Sequence, residues 1–230
     1  MSNINILALE TATALCSVAL RVGAHTYALD EGQPFKHGET ILTQVNNILE
    51  TGGIGLSDLN AIAFGRGPGS FTGLRIAAAV TQGLALGANI PVIPISSLQI
   101  LAQEAYQTHR ATQVIAAIDA RMGEIYWGCY ACIDGVMQLC GQEQVGMPDE
   151  LVLPDNIALQ AWRGAGSGWR EYGDKIIASL PAVMADLPVY PELWPRAVAM
   201  LDIAELRYAQ QQFVTAEHAI PVYLRDDVVR

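Results

Sequence analysis

The sequence predicts an α/β fold made of two tandem, similar halves, each a mixed sheet flanked by helices. Three observations lead to this prediction. Short apolar runs alternate with helical patterns, single helices connect successive strands, and the opening pattern begins again after about residue 112. A chain of 230 residues is long enough for two small domains. We therefore expect an N-terminal domain at 1–100 and a C-terminal domain at 101–230.

The first half begins with three short strands in a meander, separated by small turns. Its strands are predicted at 5–9, 15–22, 25–30, 61–64 and 91–95. Apolar residues at helical spacing predict a helix over 39–51, which Gly52 and Gly53 end. A second helix is predicted over 72–88, and a third from Ser96 or Ser97 to about 107. This order places parallel strands at the centre of the sheet.

The second half repeats the opening pattern of a buried strand that ends in an acid, turns and returns as a strand. The segments ILALETATALCSVAL and IAAIDARMGEIYWGC place Glu10 and Asp119 at equivalent positions. Strands are predicted at 114–119, 124–133, 136–140 and 157–162. A glycine loop at 164–168, helices at about 169–179 and 197–211, a Pro-rich link at 187–195 and an extended tail at 220–224 complete the half.

The composition excludes several classes of protein. The sequence has 13 Lys and Arg against 23 Asp and Glu, so the net charge is 13 − 23 = −10. This charge argues against binding of a nucleic-acid phosphate backbone by this chain without a partner. A hydrophobic content of 51% excludes a disordered chain. The N-terminus lacks the basic and apolar regions of a secretory signal, and the apolar runs are too interrupted for a membrane span. We expect a cytoplasmic protein.

The cysteines and histidines do not form a recognisable catalytic or metal pattern. Cys129 and Cys132 lie three residues apart on a predicted strand, so their side chains face opposite sides, and no second C-x-x-C completes a zinc site. We expect reduced thiols at the cysteines, which are Cys16, Cys129, Cys132 and Cys140. The histidines have no metallopeptidase spacing, and no G-x-S-x-G elbow is present.

A glycine-rich turn, GRGPGSFTGLRIA, leaves a strand and enters the helix at 72–88. Backbone N–H groups at such a turn can bind an anion, with Gly67, Gly69 and Ser70 as candidate residues. The turn is neither a Walker A loop nor a dinucleotide fingerprint, because it lacks Gly-Lys-Ser/Thr and has Ser70 in place of the third glycine. The alternative is a tight turn in which Ser70 or Thr72 caps the helix.

Acids at the ends of two predicted central strands form a second candidate site. Glu10 with Thr11, and Asp119 with Arg121, could flank a cleft and hold a metal–nucleotide complex. Alternatively, each acid shapes its own turn within a hydrogen-bond network. The loop at 164–168 could similarly let a ligand approach the backbone, or simply lead into a helix.

The helix at 72–88 is apolar around most of its circumference, so it must be covered on more than one side. Together with the helix at 39–51, it could form a joint with another chain. A row of small residues on the helix at 72–88 would allow close approach of the partner there; its members are Gly73, Ala77, Thr81 and Ala85. The residues expected at this interface are Ile41, Leu42, Val45, Ile48, Leu49, Gly73, Leu74, Ala77, Thr81 and Leu84. The alternative is a central helix enclosed within one chain.

Several segments together carry a family resemblance. They are ILALETAT with CSVAL, His37-x-Glu39, GRGPGSFTGLRIA, IPVIPISSL, DARMGEIYW and PVYLRD. With these segments the chain resembles the TsaB (YeaZ) family of the bacterial tRNA threonylcarbamoyladenosine machinery. The match runs through nearly the whole chain and is loose from about 141 to 218. It implies two ribonuclease-H-like lobes of the actin and sugar-kinase-like (ASKHA) architecture.

The resemblance also implies a function. The chain would be a non-catalytic paralogue of TsaD, the subunit that carries the metal and transfers threonylcarbamoyl from its adenylate to N6 of the adenosine beside the anticodon. Its partners would be TsaD, as a heterodimer, and the ATPase TsaE, with a homodimer when it is alone and tRNA contact only through the complex. No metal or cofactor would bind the isolated subunit, and ATP or ADP would be held only in the complex with TsaD and TsaE.

One departure from the family is Glu10, where Asp is usual, which weakens a phosphate or metal role for this turn. The main alternative function is an ATP-dependent small-molecule kinase or ATPase of the same architecture, using Glu10, the loop at 67–70 and the loop at 164–168. A peptidase is a weaker alternative. A kinase needs acids and glycine loops that face one open cleft, whereas a scaffold needs an exposed apolar helix pair.

Overall fold

The computed structural model describes residues 4–32, 37–154 and 161–225. The chain divides into two compact units. The first unit is Met1–Ile100 with Arg196–Val222, and the second is Leu101–Pro195 with Tyr223–Arg230. The expected C-terminal domain at 101–230 therefore needs correction, because 196–222 returns to the first unit.

The predicted elements occur in the predicted order, and most of their ends shift by one or two residues. The strand predicted at 136–140 is an exception, because it runs on to Gly146. The strands of the first unit are β1 (Asn5–Glu10), β2 (Cys16–Val22), β3 (His25–Glu31), β4 (Ala61–Gly65) and β5 (Val92–Ile95). Those of the second unit are β6 (Gln113–Arg121), β7 (Glu124–Ile133), β8 (Val136–Gly146), β9 (Trp162–Ala165) and β10 (Val189–Tyr190). The helices are α1 (His37–Gly52), α2 (Phe71–Ala88), α3 (Ser97–His109), α4 (Ser167–Ser179) and α5 (Ala197–Ala209).

The two sheets have the same topology. The first sheet has the order β3-β2-β1-β4-β5, and the second, read in the same sense, has the order β8-β7-β6-β9-β10. In each sheet the first three strands in sequence are antiparallel, and the last two extend the sheet in parallel. The predicted fold class, two tandem halves with mixed sheets, is confirmed.

Some predictions for the second half need correction, and one lies mostly outside the described residues. Most of the strand predicted at 157–162 lies outside the described residues, and β9 begins at Trp162. Gly164 belongs to β9 rather than to a loop, since it pairs with Ile115 of β6. A Cβ at Gly164 would overlap the ring of Trp169. The Pro-rich link contains β10, which is only two residues long. The tail at 220–224 is irregular, and Val222 N donates to the carbonyl of Arg66 at 2.8 Å.

The core of the first unit explains why its helices lie where they do. Alternate β1 residues point to opposite faces, and Leu7 and Leu9 join the cluster that α1 and α2 cover. The helix α5 packs against β1 and β2. In the second unit, α4 covers a cluster built around three tryptophans, Trp127, Trp162 and Trp169. None of the helices within the described residues has the length and hydropathy needed to cross a bilayer.

Candidate functional site

Glu10 ends β1 as a fully buried acid, with 0% of its surface exposed. The N–H of Ala12 donates to its Oε1 at 2.6 Å, and the Ser97 hydroxyl donates to its Oε2 at 2.9 Å. Burial raises the pKa of Glu10 to about 7, because desolvation outweighs these two donors. Both carboxyl oxygens thus have partners within the first unit, as expected of an acid that shapes its own turn.

The glycine-rich turn is closed around the chain's own backbone. A Cβ at Gly69 would overlap the carbonyl of Ala12, and that carbonyl accepts the N–H of Ser70 at 2.7 Å. Gly67 has a left-handed φ of 101°, and a Cβ there would press on the carbonyl of Val222. These glycines serve close approach between segments of the first unit, so the geometry favours the tight turn over an anion cradle.

The start of α2 is held in the same manner. Ser70 is its N-cap, with its Oγ accepting the N–H of Gly73 at 3.4 Å. The hydroxyl of Thr11 donates to the carbonyl of Gly73 at 2.8 Å. A Cβ at Gly73 would overlap the carbonyl oxygen of Thr11. Glycine at this position therefore lets the first turn of α2 rest on the turn after β1.

Asp119 occupies the position in the second unit that Glu10 occupies in the first. Its Oδ1 accepts the N–H of Arg121 at 2.9 Å, which repeats the bond between Glu10 and the residue two further on. The Arg121 guanidinium lies 3.2 Å from Oδ2, but its side chain is 86% exposed, so this ion pair contributes little. Nearby, a Cβ at Gly166 would overlap the carbonyl of Ala117, because the start of α4 packs closely on β6. This pattern again favours a structural role.

The expected interface on α1 needs correction. Ile41, Val45, Ile48 and Leu49 are buried in the core of the first unit, because α1 uses its apolar side to cover β2 and β3. Leu42, which is 49% exposed, is the member of the predicted set that faces outward. The remaining outward residues of α1 are mostly polar. They are Glu39, Thr43, Asn46, Asn47, Glu50 and Thr51.

The expected interface on α2 is also wrong in its orientation. Gly73, Leu74, Ala77 and Thr81 are buried, and the small-residue row packs on the unit's own sheet. Leu84 is half-buried against the same core. The prediction failed because a helix that is apolar all round does not reveal which side the sheet takes.

The opposite side of α2 is exposed. We call this side the outer α2 face, defined by Thr72, Arg75, Ala79, Gly83, Leu86 and Gly87. Leu86 is 74% exposed, and within the described part of the chain a Cβ at Gly83 or Gly87 would meet no atom within 4 Å. A helical glycine costs about 1 kcal/mol relative to alanine. The presence of two glycines inside a long helix is the sequence feature that could have identified this face.

Comparison with known proteins decides the family. The chain is 43% identical over 224 residues to the tRNA threonylcarbamoyladenosine biosynthesis protein TsaB of Escherichia coli K12, covering 97% of this chain and 95% of that protein. It is 38% identical over 239 residues to TsaB of Haemophilus influenzae, covering 99% and 96% of the two chains. The chain belongs to the TsaB family. The family model described as TsaD, tRNA N6-adenosine threonylcarbamoyltransferase, matches residues 35–187.

The structural comparison agrees with the TsaB assignment. YeaZ from Pseudomonas aeruginosa matches with a TM-score of 0.90 at 42% identity, over 96% of this chain and 100% of that one. A crystal structure of a Pseudomonas aeruginosa protein described as similar to peptidase YeaZ matches with the same TM-score at 43% identity, over the same shares. These TsaB-family structures therefore support the α/β fold of two tandem lobes, each a mixed sheet flanked by helices, that the resemblance implied.

The candidate chemical groups of this TsaB chain can now be placed. Within residues 4–32, 37–154 and 161–225, no three His, Cys, Asp or Glu side chains form a group that could hold a metal ion. Glu10 with the glycine turn lies in the first unit, and Asp119 with Arg121 lies in the second. Each set is occupied by hydrogen bonds and close packing within its own unit.

Proposed function

We propose that this chain is a cytoplasmic, non-catalytic scaffold subunit for the threonylcarbamoyladenosine modification of tRNA. It binds a TsaD subunit and helps to recruit TsaE. Two findings support this proposal: the chain belongs to the TsaB family, and the acids and loops that a kinase of this architecture would use are engaged in internal contacts.

The observation that carries the proposal is the outer α2 face. Ala79, Gly83 and Leu86 recur at helical spacing on one exposed side of an 18-residue helix. Small residues at two of these positions let a second helix come close, while Leu86 supplies apolar surface for it to bury. Arg75 is the one charged residue on this helix, so the face has no acid to repel a partner. This arrangement fits a helix-on-helix contact.

A paralogue of this chain is the partner that fits such a face. Two similar helices can pack across a two-fold axis in a homodimer, or across a pseudo-two-fold axis when the partner is a paralogue such as TsaD. Leu42 of α1 is a further exposed apolar side chain of the same unit. Because both assemblies use the outer α2 face, we expect the homodimer and the heterodimer with TsaD to compete.

Catalysis and tRNA binding then belong to the complex rather than to this subunit alone. The net charge of −10 disfavours tight tRNA binding by the chain alone, so tRNA contact comes through the complex. ATP or ADP belongs to the complex with TsaD and TsaE. The alternative, an ATP-dependent small-molecule kinase or ATPase, would need Glu10 to face substrate, whereas its two oxygens are held by Ala12 and Ser97.

The test is association with TsaD, measured by light scattering coupled to size-exclusion chromatography. Gly83→Arg and Ala79→Arg place a long charged side chain on the outer α2 face. Gly173→Arg in α4 is the matched control, because a Cβ placed at Gly173 would also meet no described atom within 4 Å. We expect the two α2 variants to stay folded by circular dichroism and to lose the TsaD complex, while the control retains it. Full complex formation by both α2 variants would show that the interface lies elsewhere.

A further inference from the structure

The hairpin of β7 and β8 brings together two cysteines whose spacing in the sequence matches no recognisable motif. Cys129 and Cys140 are direct partners in the antiparallel register, next to an irregularity between Trp127 and Cys129. Cys132, the residue that the C-x-x-C spacing would pair with Cys129, lies opposite Met137 instead. The relevant cysteine pair is therefore across the strands rather than along one of them.

The geometry of this pair suits a disulfide. Directly opposed residues of antiparallel strands have Cα atoms about 4.5–5.5 Å apart, within the range of about 4.4–6.8 Å that disulfides span. Both side chains also lie on one face of the sheet, since Cys140 packs against the cluster that contains Cys129. Both are free thiols in the structure.

We propose that Cys129 and Cys140 are a redox-active pair that closes a cross-strand disulfide by exchange with a small disulfide such as oxidised glutathione. The Cys140 thiolate attacks one sulfur of the oxidant, which forms a mixed disulfide and releases one glutathione. The Cys129 thiolate then attacks the Cys140 sulfur, which forms the S–S bond and releases the second glutathione. Two protein thiols are oxidised, one glutathione disulfide is reduced to two thiols, and the two thiol protons go to the products.

Exposure sets the order of these steps. Cys140 is half-buried and accessible to a small oxidant, whereas Cys129 is only 2% exposed. Burial raises the pKa of the Cys129 thiol to about 12, and it raises the pKa of Cys140 as well. Because the thiolate is the nucleophile, closure is slow at neutral pH and accelerates as the pH rises.

Disulfide closure would covalently link the edge strand of the second sheet to its neighbour. The disulfide would tie the edge strand β8 to β7 and enclose the turn at Asp134 and Gly135. A reducing compartment keeps the pair open, and a shift of the glutathione pool toward its oxidised form closes it. The inference is independent of the proposed scaffold function, because it rests on the second unit alone.

The experiment incubates the full chain with oxidised glutathione at several pH values and then alkylates the remaining thiols. Chymotryptic mapping follows, because cleavage after Tyr130 and Leu139 separates the three cysteines of the hairpin. We expect a Cys129–Cys140 link that persists in Cys132→Ser and disappears in Cys140→Ser. The closure constant, which is the equilibrium constant for forming the Cys129–Cys140 disulfide from oxidised glutathione, should be about 100-fold larger in the folded chain than in the urea-unfolded chain. The reason is that the fold holds the two thiols together.

Three results would overturn the proposal. The first is a Cys140–glutathione adduct that does not proceed to the internal link. The second is a dominant link that involves Cys132. The third is a closure constant no larger in the folded chain than in urea, which would show that the native register does not favour the bond. The pH dependence is a further check, because the closure rate should rise about tenfold per pH unit below the thiol pKa values.

Discussion

Replacing Glu10 by glutamine should change how the stability of the protein depends on pH. The folded protein raises the pKa of Glu10 from 4.5 to about 7, so the native state binds a proton more tightly than the unfolded state does. Between these two values the native chain holds this proton and the unfolded chain does not. The contribution of Glu10 to the free energy of unfolding therefore falls as the pH rises from 4.5 to 7 and levels off above that.

The size of the effect follows from the shift. A difference of about 2.5 pH units corresponds to about 3 kcal/mol at about 1.4 kcal/mol per unit, as an order of magnitude. Glu10→Gln removes the titrating group while its amide oxygen can still accept the N–H of Ala12. Its amide nitrogen can donate to the Ser97 hydroxyl. We expect the variant to exceed the parent protein in stability by about 2–4 kcal/mol at pH 8 and to show little of this difference at pH 4.5.

Urea unfolding at half-unit steps from pH 4.5 to 8.5 measures this difference directly. Ser97→Ala is the matched variant. It removes a hydroxyl that lowers the pKa of Glu10, so the falling limb of its stability curve should move to higher pH. Parallel stability curves for the parent protein and Glu10→Gln across the whole range would show that Glu10 binds no extra proton in the folded state, and would rule out the raised pKa.

Three further substitutions test the packing. Thr81→Val should stabilise the protein by about 1 kcal/mol in urea unfolding, because the buried Thr81 hydroxyl has no hydrogen-bond partner among the described residues; a loss of stability would mean that this hydroxyl is satisfied. Gly69→Ala should destabilise by about 1–3 kcal/mol in the same assay, since its Cβ would overlap the carbonyl of Ala12, and a neutral result would mean that the turn is looser than described. Gly83→Ala should raise the thermal midpoint by an amount equivalent to about 0.5–1 kcal/mol while weakening association with TsaD. Unchanged association would argue against close helix approach at Gly83.

The elements were more predictable from the sequence than the faces they present. The predicted ends of α2 and β7 lie within one residue of the observed ones, because long periodic patterns and turn residues define them. The side of α2 that packs on the sheet depends on the close contact between Gly73 and the carbonyl of Thr11. These two residues are 62 positions apart in the sequence. Periodicity carries no information about such a contact when apolar residues surround the whole helix.

In the candidate site, too, local features were predictable from the sequence and long-range contacts were not. The equivalence of Glu10 and Asp119 was visible as a repeated pattern, and each does accept the N–H two residues further on. Their surroundings were not visible, because the carboxyl of Glu10 is satisfied by a serine 87 positions away. The pairing of Cys129 with Cys140 likewise depends on strand register, which the irregularity beside Cys129 shifts. The strand β10 was missed because two residues are too few to form a pattern.

The scaffold role is tested most directly by the formation of threonylcarbamoyladenosine on tRNA in a reconstituted system with TsaD, TsaE and the threonylcarbamoyl adenylate. We expect Glu10→Gln to support modification at the level of the parent chain, because this acid is engaged in internal hydrogen bonds. We expect Gly83→Arg to lower modification to the level seen when the subunit is omitted. Full activity with Gly83→Arg together with loss of activity in Glu10→Gln would overturn the scaffold role and point to a catalytic role for the chain.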